Sequence, residues 1–344
     1  MLDDRKKKVL KAIIEEYVNT AEPVSSAAIV DKDDLKYSSA TIRNDMAELE
    51  QYGYLDKPHT SAGRVPSDKG YRFYVNELLK EDNLSVEEIQ YIKSRLEIKV
   101  NEIDELLKIA TSTLSEVTHY TSIAVSSKLD LHTISDIKFV LLGDRLLMAV
   151  ILTETGIIKE TLIKFEEDIN SEIIENLNHM FRNKLVGNPL SIIRTSMEEF
   201  LKNELAESKQ IAEQIIRELS NIVIQNDDSI YLEGASKAFN YPEFEKVETA
   251  KNFLSVIEAK DLVRELMDNG IVSDINVYIG DENADEALKD FSVITFKHTL
   301  DNKEVGTIGI IGPTRMNYSK VISVMKYISK EINEKMNKGG DSSG

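Results

Sequence analysis

Ser39, Thr41, Arg43 and Asn44 open the stretch Ser38-Ser39-Ala40-Thr41-Ile42-Arg43-Asn44-Asp45-Met46, and their types suit base recognition. Arginine donates two parallel hydrogen bonds to the O6 and N7 of guanine, and asparagine pairs in a bidentate way with the N6 and N7 of adenine. In a helix-turn-helix such groups stand at the N-terminal end of the recognition helix. Lys57, His59 and Arg64 follow, in a segment where Gly63 and Pro66 fix the bends. That segment, 54–66, reads as a short hairpin whose cations would touch phosphates or a minor groove. A helix followed by a basic hairpin is the order of a winged helix-turn-helix. Taken alone, the first stretch could be an ordinary capped surface helix; the hairpin behind it argues against that.

These residues need a frame. Val9, Leu10, Ile13, Ile14, Tyr17 and Val18 predict a helix over 4–19. Glu22-Pro23-Val24-Ser25 opens a second, short helix through about residue 30. Ser38 or Ser39 caps a third, with Ile42, Met46 and Leu49 inward and Gly53 at its end. Ser67-Asp68 starts a fourth, through about Leu79. Ser85-Val86-Glu87-Glu88 is a capping box, followed by apolar residues at alternating steps of three and four from Ile89 to Val117. That narrow seam predicts one linking helix over 84–118, packed on a domain or a partner subunit.

From about Tyr120 the texture is that of strands, at 122–127, 136–142, 146–152 and 157–164. Residues 168–225 read as helical, through Ile173/Leu177/Phe181, Met197/Phe200/Leu201 and Ile211/Ile215/Leu219/Ile222. Strand texture returns at 275–279, 292–298 and 305–311, and a last helix spans 318–336. The expected architecture is α+β multidomain, with one α/β domain interrupted by a helical insertion. The divisions are 1–80, 84–118, 119–167, 168–225 and 226–337, with a disordered tail at 338–344.

No other group offers comparable chemistry. Gly306, Gly309 and Gly312 lack the Gly-Lys-Ser/Thr ending of a phosphate loop and read as a strand with a Gly-Pro stop. His59, His119, His132, His179 and His298 have no ligand spacing, so no metal is expected. The acidic run 281–286 lacks the glycine and terminal glutamate of a calcium loop and reads as solvated loop. No nucleophile elbow or catalytic dyad is identifiable, and there is no cysteine, so neither enzyme activity nor a cofactor is expected.

At 344 residues two or three domains are expected, and a 42% hydrophobic share is ample for their cores. No run of about 18 apolar residues occurs, so no transmembrane helix is expected. The basic N-terminal run lacks an uninterrupted apolar stretch behind it, so no signal peptide is expected; a cysteine-free chain suits the cytoplasm. The net charge of −18 argues against polyanionic partners until its distribution is considered. Residues 1–80 hold 13 Lys+Arg against 14 Asp+Glu, so the acidity lies almost entirely beyond them. An acidic body lowers non-specific attraction to DNA and leaves more of the affinity to specific contacts.

The chain resembles the HrcA family of heat-inducible transcription repressors. The matching stretches are Glu22-Pro23-Val24, Ser38 to Met46, Leu49-Glu50, Gly53-Tyr54-Leu55, Pro58 to Arg72 around Thr60-Ser61-Ala62-Gly63-Arg64, and Val305 to Met316. The family often has Gly-Ser-Arg at the start of the second helix, where this chain has Ser25-Ser26-Ala27-Ala28. The resemblance implies a winged-helix domain, then a GAF-like domain with a dimerising domain inserted in it. It also implies a homodimer on an inverted-repeat operator ahead of chaperone genes, and modulation by the GroE chaperonin. The helical block, with Phe181, Phe200, Ile211 and Ile215, is the expected dimer interface. One rival is a metabolite-responsive repressor, because Thr41-Ile42-Arg43-Asn44-Asp45 also resembles the recognition helix of DeoR-type regulators. A sensory enzyme built on the GAF-like domain is the other, and it needs a catalytic constellation.

Overall fold

The computed structural model describes residues 2–30, 32, 35, 37–59, 63–97, 103–126, 132–154, 158–195, 206–225, 230–268, 275–300 and 303–340. At the N-terminus, α1 (Asp4–Thr20) is capped by Asp3, whose carboxylate accepts from the Lys6 amide, and it buries Val9, Leu10, Ile13 and Ile14. A 3-10 turn (Ser26–Ile29) follows, then α2 (Ser39–Gln51), β1 (Leu55–Asp56), β2 (Val65–Pro66) and α3 (Asp68–Phe73), which continues as a single π turn to Leu78. Ser38 caps α2 through the Thr41 amide, and Ile42, Met46 and Leu49 are buried as their spacing requires. Gly53 ends that helix at φ +76°, in the left-handed region where a side chain would be strained.

Two helices stand where the apolar seam predicts one. α4 (Val86–Leu96) has the expected capping box, and α5 (Ile103–Thr118) lies on the far side of 98–102, which are outside the described residues. The two pack against each other, with the Arg95 guanidinium donating to Ser112 Oγ at 3.2 Å and the Tyr91 hydroxyl donating to Glu116. Heptad spacing makes a seam, and a seam can be closed by the chain's own return as well as by a partner.

The central sheet is antiparallel, ordered β7-β3-β10-β9-β8, from β3 (Thr121–Ser126), β7 (Ile230–Glu233), β8 (Ile275–Ile279), β9 (Phe291–Leu300) and β10 (Lys303–Pro313). Ala124, Ile308, Ile310 and Ile294 on one face pack with α5 and with the last helix, which runs Tyr318–Gly340. That helix covers 338–340, so the expected tail begins no earlier than 341, and 341–344 lie outside the described residues. The other face carries Ile123, Val125, Val293 and Ile311 beneath two helices, Val247–Glu258 and Lys260–Asp268.

The insertion differs from expectation. β4 (Ile134–Gly143), β5 (Leu146–Thr153) and β6 (Ile158–Lys164) form their own three-stranded sheet and take no place in the central one. One face of it packs on α6 (Ser171–Leu185) and α8 (Ala206–Gln225), while α7 (Ile192–Thr195) lies between those two in sequence. Phe139 meets Phe181 edge to face at 5.0 Å, and Asn178 both accepts from and donates to the Phe139 backbone. The inserted unit is therefore α/β and begins with β4, because β4–β6 bury their apolar face on these helices. With that numbering, the helices on the second face of the central sheet are α9 and α10, and the last helix is α11.

Phe181 and Ile215 are fully buried between this sheet and its helices, and Ile211 is partly buried there. These are core positions, not the interface the helical block was expected to supply. Phe200, Met197 and Leu201 lie outside the described residues.

Candidate nucleic-acid interface

Arg43 and Asn44 are exposed on the outer face of α2, and neither has an ion-pair partner among the described residues. Ser39 is exposed, with its Oγ 3.0 Å from Ser26 Oγ, so the 3-10 turn is hydrogen-bonded to the start of α2. That turn is itself capped by Ser25, at the place where the family pattern differs. Thr41 is half-buried and its hydroxyl lies 2.9 Å from the Ser38 hydroxyl, so it reinforces the cap.

Asp45 carries a role the sequence reading missed. It sits on the inward stripe between Ile42 and Met46 and is 1% exposed. Arg5 of α1 grips it with both ends of the guanidinium, Nε to Oδ2 at 2.8 Å and Nη2 to Oδ1 at 2.9 Å. A planar fork on a carboxylate fixes rotation as well as distance. The pair therefore sets how far α2 turns about its own axis, and so where Arg43 and Asn44 point. A charged residue at an inward helical position was the available signal, since a buried carboxylate needs a partner.

The hairpin pairs Leu55 with Pro66 and Asp56 with Val65. Val24 exchanges two backbone hydrogen bonds of 2.8 Å with Arg64, which anchors the hairpin's return to the start of the 3-10 segment. A Cβ on Gly63 would stand 2.3 Å from the Val24 carbonyl oxygen, so only glycine allows this approach. Lys57 and His59 are exposed toward the tip; Thr60, Ser61 and Ala62 lie outside the described residues.

Arg64 departs from its expected role. Its side chain is 18% exposed and turns to Glu50 in the last turn of α2, with Nε 2.7 Å and Nη2 2.6 Å from Oε2. It ties the hairpin to the helix rather than offering a cation to DNA. Lys69 likewise donates to the Tyr52 carbonyl at 2.7 Å and lies over the Tyr54 ring at 4.6 Å.

The site is thus a polar helix start and a hairpin, with Arg64–Glu50 tying the hairpin to α2 and Arg5–Asp45 tying α2 to α1. Among the described residues no group of three or more acidic or histidine side chains could hold a metal, and no helix is long and apolar enough to cross a membrane.

Fold and site define a mixed α/β chain with a small N-terminal unit that presents one polar helix. The family model described as HrcA protein C terminal domain matches residues 104–322. The heat-inducible transcription repressor HrcA of Ruminiclostridium cellulolyticum is 39% identical over 340 residues, covering 98% of each chain. That of Acetivibrio thermocellus is 40% identical over 348 residues, covering 100% of this chain and 99% of the other. The chain belongs to the HrcA family. A crystal structure of a hypothetical protein, 24% identical, superimposes with a TM-score of 0.69 over 98% of this chain and 99% of that one, and so shares its fold.

Proposed function

We propose that this chain is a cytoplasmic, heat-inducible transcription repressor that occupies an inverted-repeat operator ahead of chaperone genes. In this reading residues 1–80 are a winged-helix domain. Arg43 and Asn44 read bases in the major groove, Ser39 and Thr41 hold the helix start beside the backbone, and Lys57 and His59 meet phosphates. The observation that carries it is the exposed Arg43–Asn44 pair on a helix locked at Asp45 by Arg5. Repression then needs no chemical step, because occupancy excludes polymerase. The test is footprinting of the full chain on its own upstream DNA. Protection of an inverted repeat is expected, and uniform protection without a boundary would overturn the reading.

The central sheet with its flanking helices is read as the GAF-like domain, and the α/β insertion as the dimerising domain. The supporting feature is the outer face of β4–β6, where Leu142 and Leu162 are 52% and 57% exposed beside half-buried Val140, Met148, Val150 and Leu152. The occupant proposed is a second copy of the chain. Lys138, Val150 and Glu160 stand in one cross-strand row, with the opposite charges on the two outer strands. A two-fold axis parallel to β5 sets each Lys138 over the partner's Glu160, and an isologous contact requires that self-complementarity.

Release on heating, and restoration by the GroE chaperonin, complete the proposal; the resemblance to the HrcA family supports this part of the reading. The metabolite-responsive reading gains nothing from the α9–α10 face of the central sheet. Phe244, Phe253 and Phe291 fill it with centroids 5.2–5.8 Å apart, and Met267 packs against Gly309.

A further inference from the structure

Two stretches marked in the sequence, the one ending at Arg72 and the one from Val305 to Met316, meet where the N-terminal helices join the central sheet. DNA contact accounts for neither end. The Arg315 side chain is 9% exposed and pairs with Glu243, with its guanidinium 5.6 Å from the centre of the Tyr241 ring. Its Nη1 donates to the Val18 carbonyl at 3.0 Å, in the last turn of α1. Carbonyls there lack helical partners, and the helix dipole is negative, so a cation anchored on the central unit caps the helix that holds Asp45.

A second anchor lies on α3. Arg72 Nε donates to Glu282 Oε1 at 2.7 Å, and Nη2 donates to the other Glu282 oxygen and to the Val277 carbonyl. Asp68 accepts from the Asp281 amide at 2.9 Å. Gly280, at φ +52°, leaves room for that carboxylate: a Cβ there would lie 1.9 Å from an Asp68 oxygen. Between the anchors the buried Tyr71 ring lies 5.8 Å from Tyr318. The acidic run at 281–286, expected to be a solvated loop, thus supplies docking groups.

Both helices that flank α2 are therefore fastened to the central unit by polar groups of fixed geometry. We propose that Arg315 and Arg72 are positioning residues that fix the direction of the α2 reading face relative to the dimer body, and so set the half-site separation the protein accepts. The inference rests on the dimeric, inverted-repeat reading above. One inserted base pair moves a half-site by about 3.4 Å and turns it by roughly 35°. Heads held rigidly lose a contact when this happens, whereas loosely tethered heads follow.

The experiment measures affinity of the full chain for the footprinted inverted repeat, for versions with one and two base pairs inserted at its centre, and for a single half-site. The wild-type chain should lose at least about tenfold on each insertion, the gain from simultaneous engagement being lost when geometry forbids it. Arg72→Glu and Arg315→Gln should cut that penalty to below about threefold by weakening the natural spacing, with half-site affinity unchanged. Adding Glu282→Arg to Arg72→Glu should restore the penalty. A full penalty in both variants overturns the inference. So does an equal loss on the half-site, which would mark the residues as support for the fold alone; Arg72 decides the matter if the buried Arg315 variant fails to fold. A wild-type chain that binds the repeat no better than the half-site overturns the dimeric reading itself, and this inference with it.

Discussion

Arg43 and Lys57 are both exposed cations, yet different readouts should separate them. A base-reading arginine contributes roughly 1–3 kcal/mol of discrimination, so Arg43→Ala should lower operator affinity at least about tenfold and leave scrambled DNA unchanged. Lys57→Ala should weaken both DNAs alike and flatten the salt dependence, as removal of a phosphate contact does. Equal loss on both DNAs for Arg43→Ala would remove it from base reading. His298 makes a prediction about stability. It is 1% exposed on β9, with neither ring nitrogen hydrogen-bonded, and burial pulls its pKa down to about 4 from 6.5. The folded state disfavours the proton that the unfolded state binds. The contribution of His298 to stability is therefore fully present above pH 6.5 and is lost as pH falls from 6.5 toward 4, by at most roughly 3 kcal/mol. The stability of His298→Leu relative to wild type, read from unfolding midpoints, should therefore rise as pH falls through that window. Parallel curves would show that His298 carries no such linkage.

At the scale of elements, the N-terminal unit holds its hairpin with Arg64 and Glu50. Arg64→Ala and Glu50→Ala should each lower operator affinity without changing the salt slope, and the double variant should add little to either. A flattened slope for Arg64→Ala would return that residue to the phosphate contacts. In the insertion, Leu162→Glu should convert the chain to a monomer, as read by sedimentation at micromolar concentration. Lys138→Glu should weaken the dimer, and Glu160→Lys in the same chain should restore it. The spacing of α2 gave both its buried stripe and its outward face, because a helix sets direction by period alone. Period alone could not tell a linking helix from a hairpin of two, nor assign β4–β6 to a sheet, because strand texture carries no address for its partner.

For the whole molecule, the proposed reading gives each N-terminal unit one half-site, and tight binding then needs two joined. Residues 1–80 alone should bind the operator far more weakly than the full chain, and equal affinities would refute this. The same coupling bears on heat. Brief warming should abolish operator binding, and purified chaperonin should restore it. Retained binding after warming, with no effect of chaperonin, would count against heat release. The contacts at Arg315, Arg72 and Tyr71 fasten the N-terminal unit to the central sheet rather than leave it a loosely tethered head, so unfolding of that sheet should disturb it directly.

The sequence by itself determined the elements of the N-terminal unit. Caps, helical period and turn glycines act over a few residues, and Arg43, Asn44, Lys57 and His59 lie where those local rules put them. It also determined the family, through stretches that run nearly the length of the chain. Tertiary structure decided what depends on residues distant in sequence. Arg64 turned inward because Glu50 lay across the hairpin, Asp45 was buried because Arg5 reached it from another helix, and the helical block became a core because β4–β6 folded onto it. A side chain's type states what it can pair with, and only the folded chain settles which partner comes within reach.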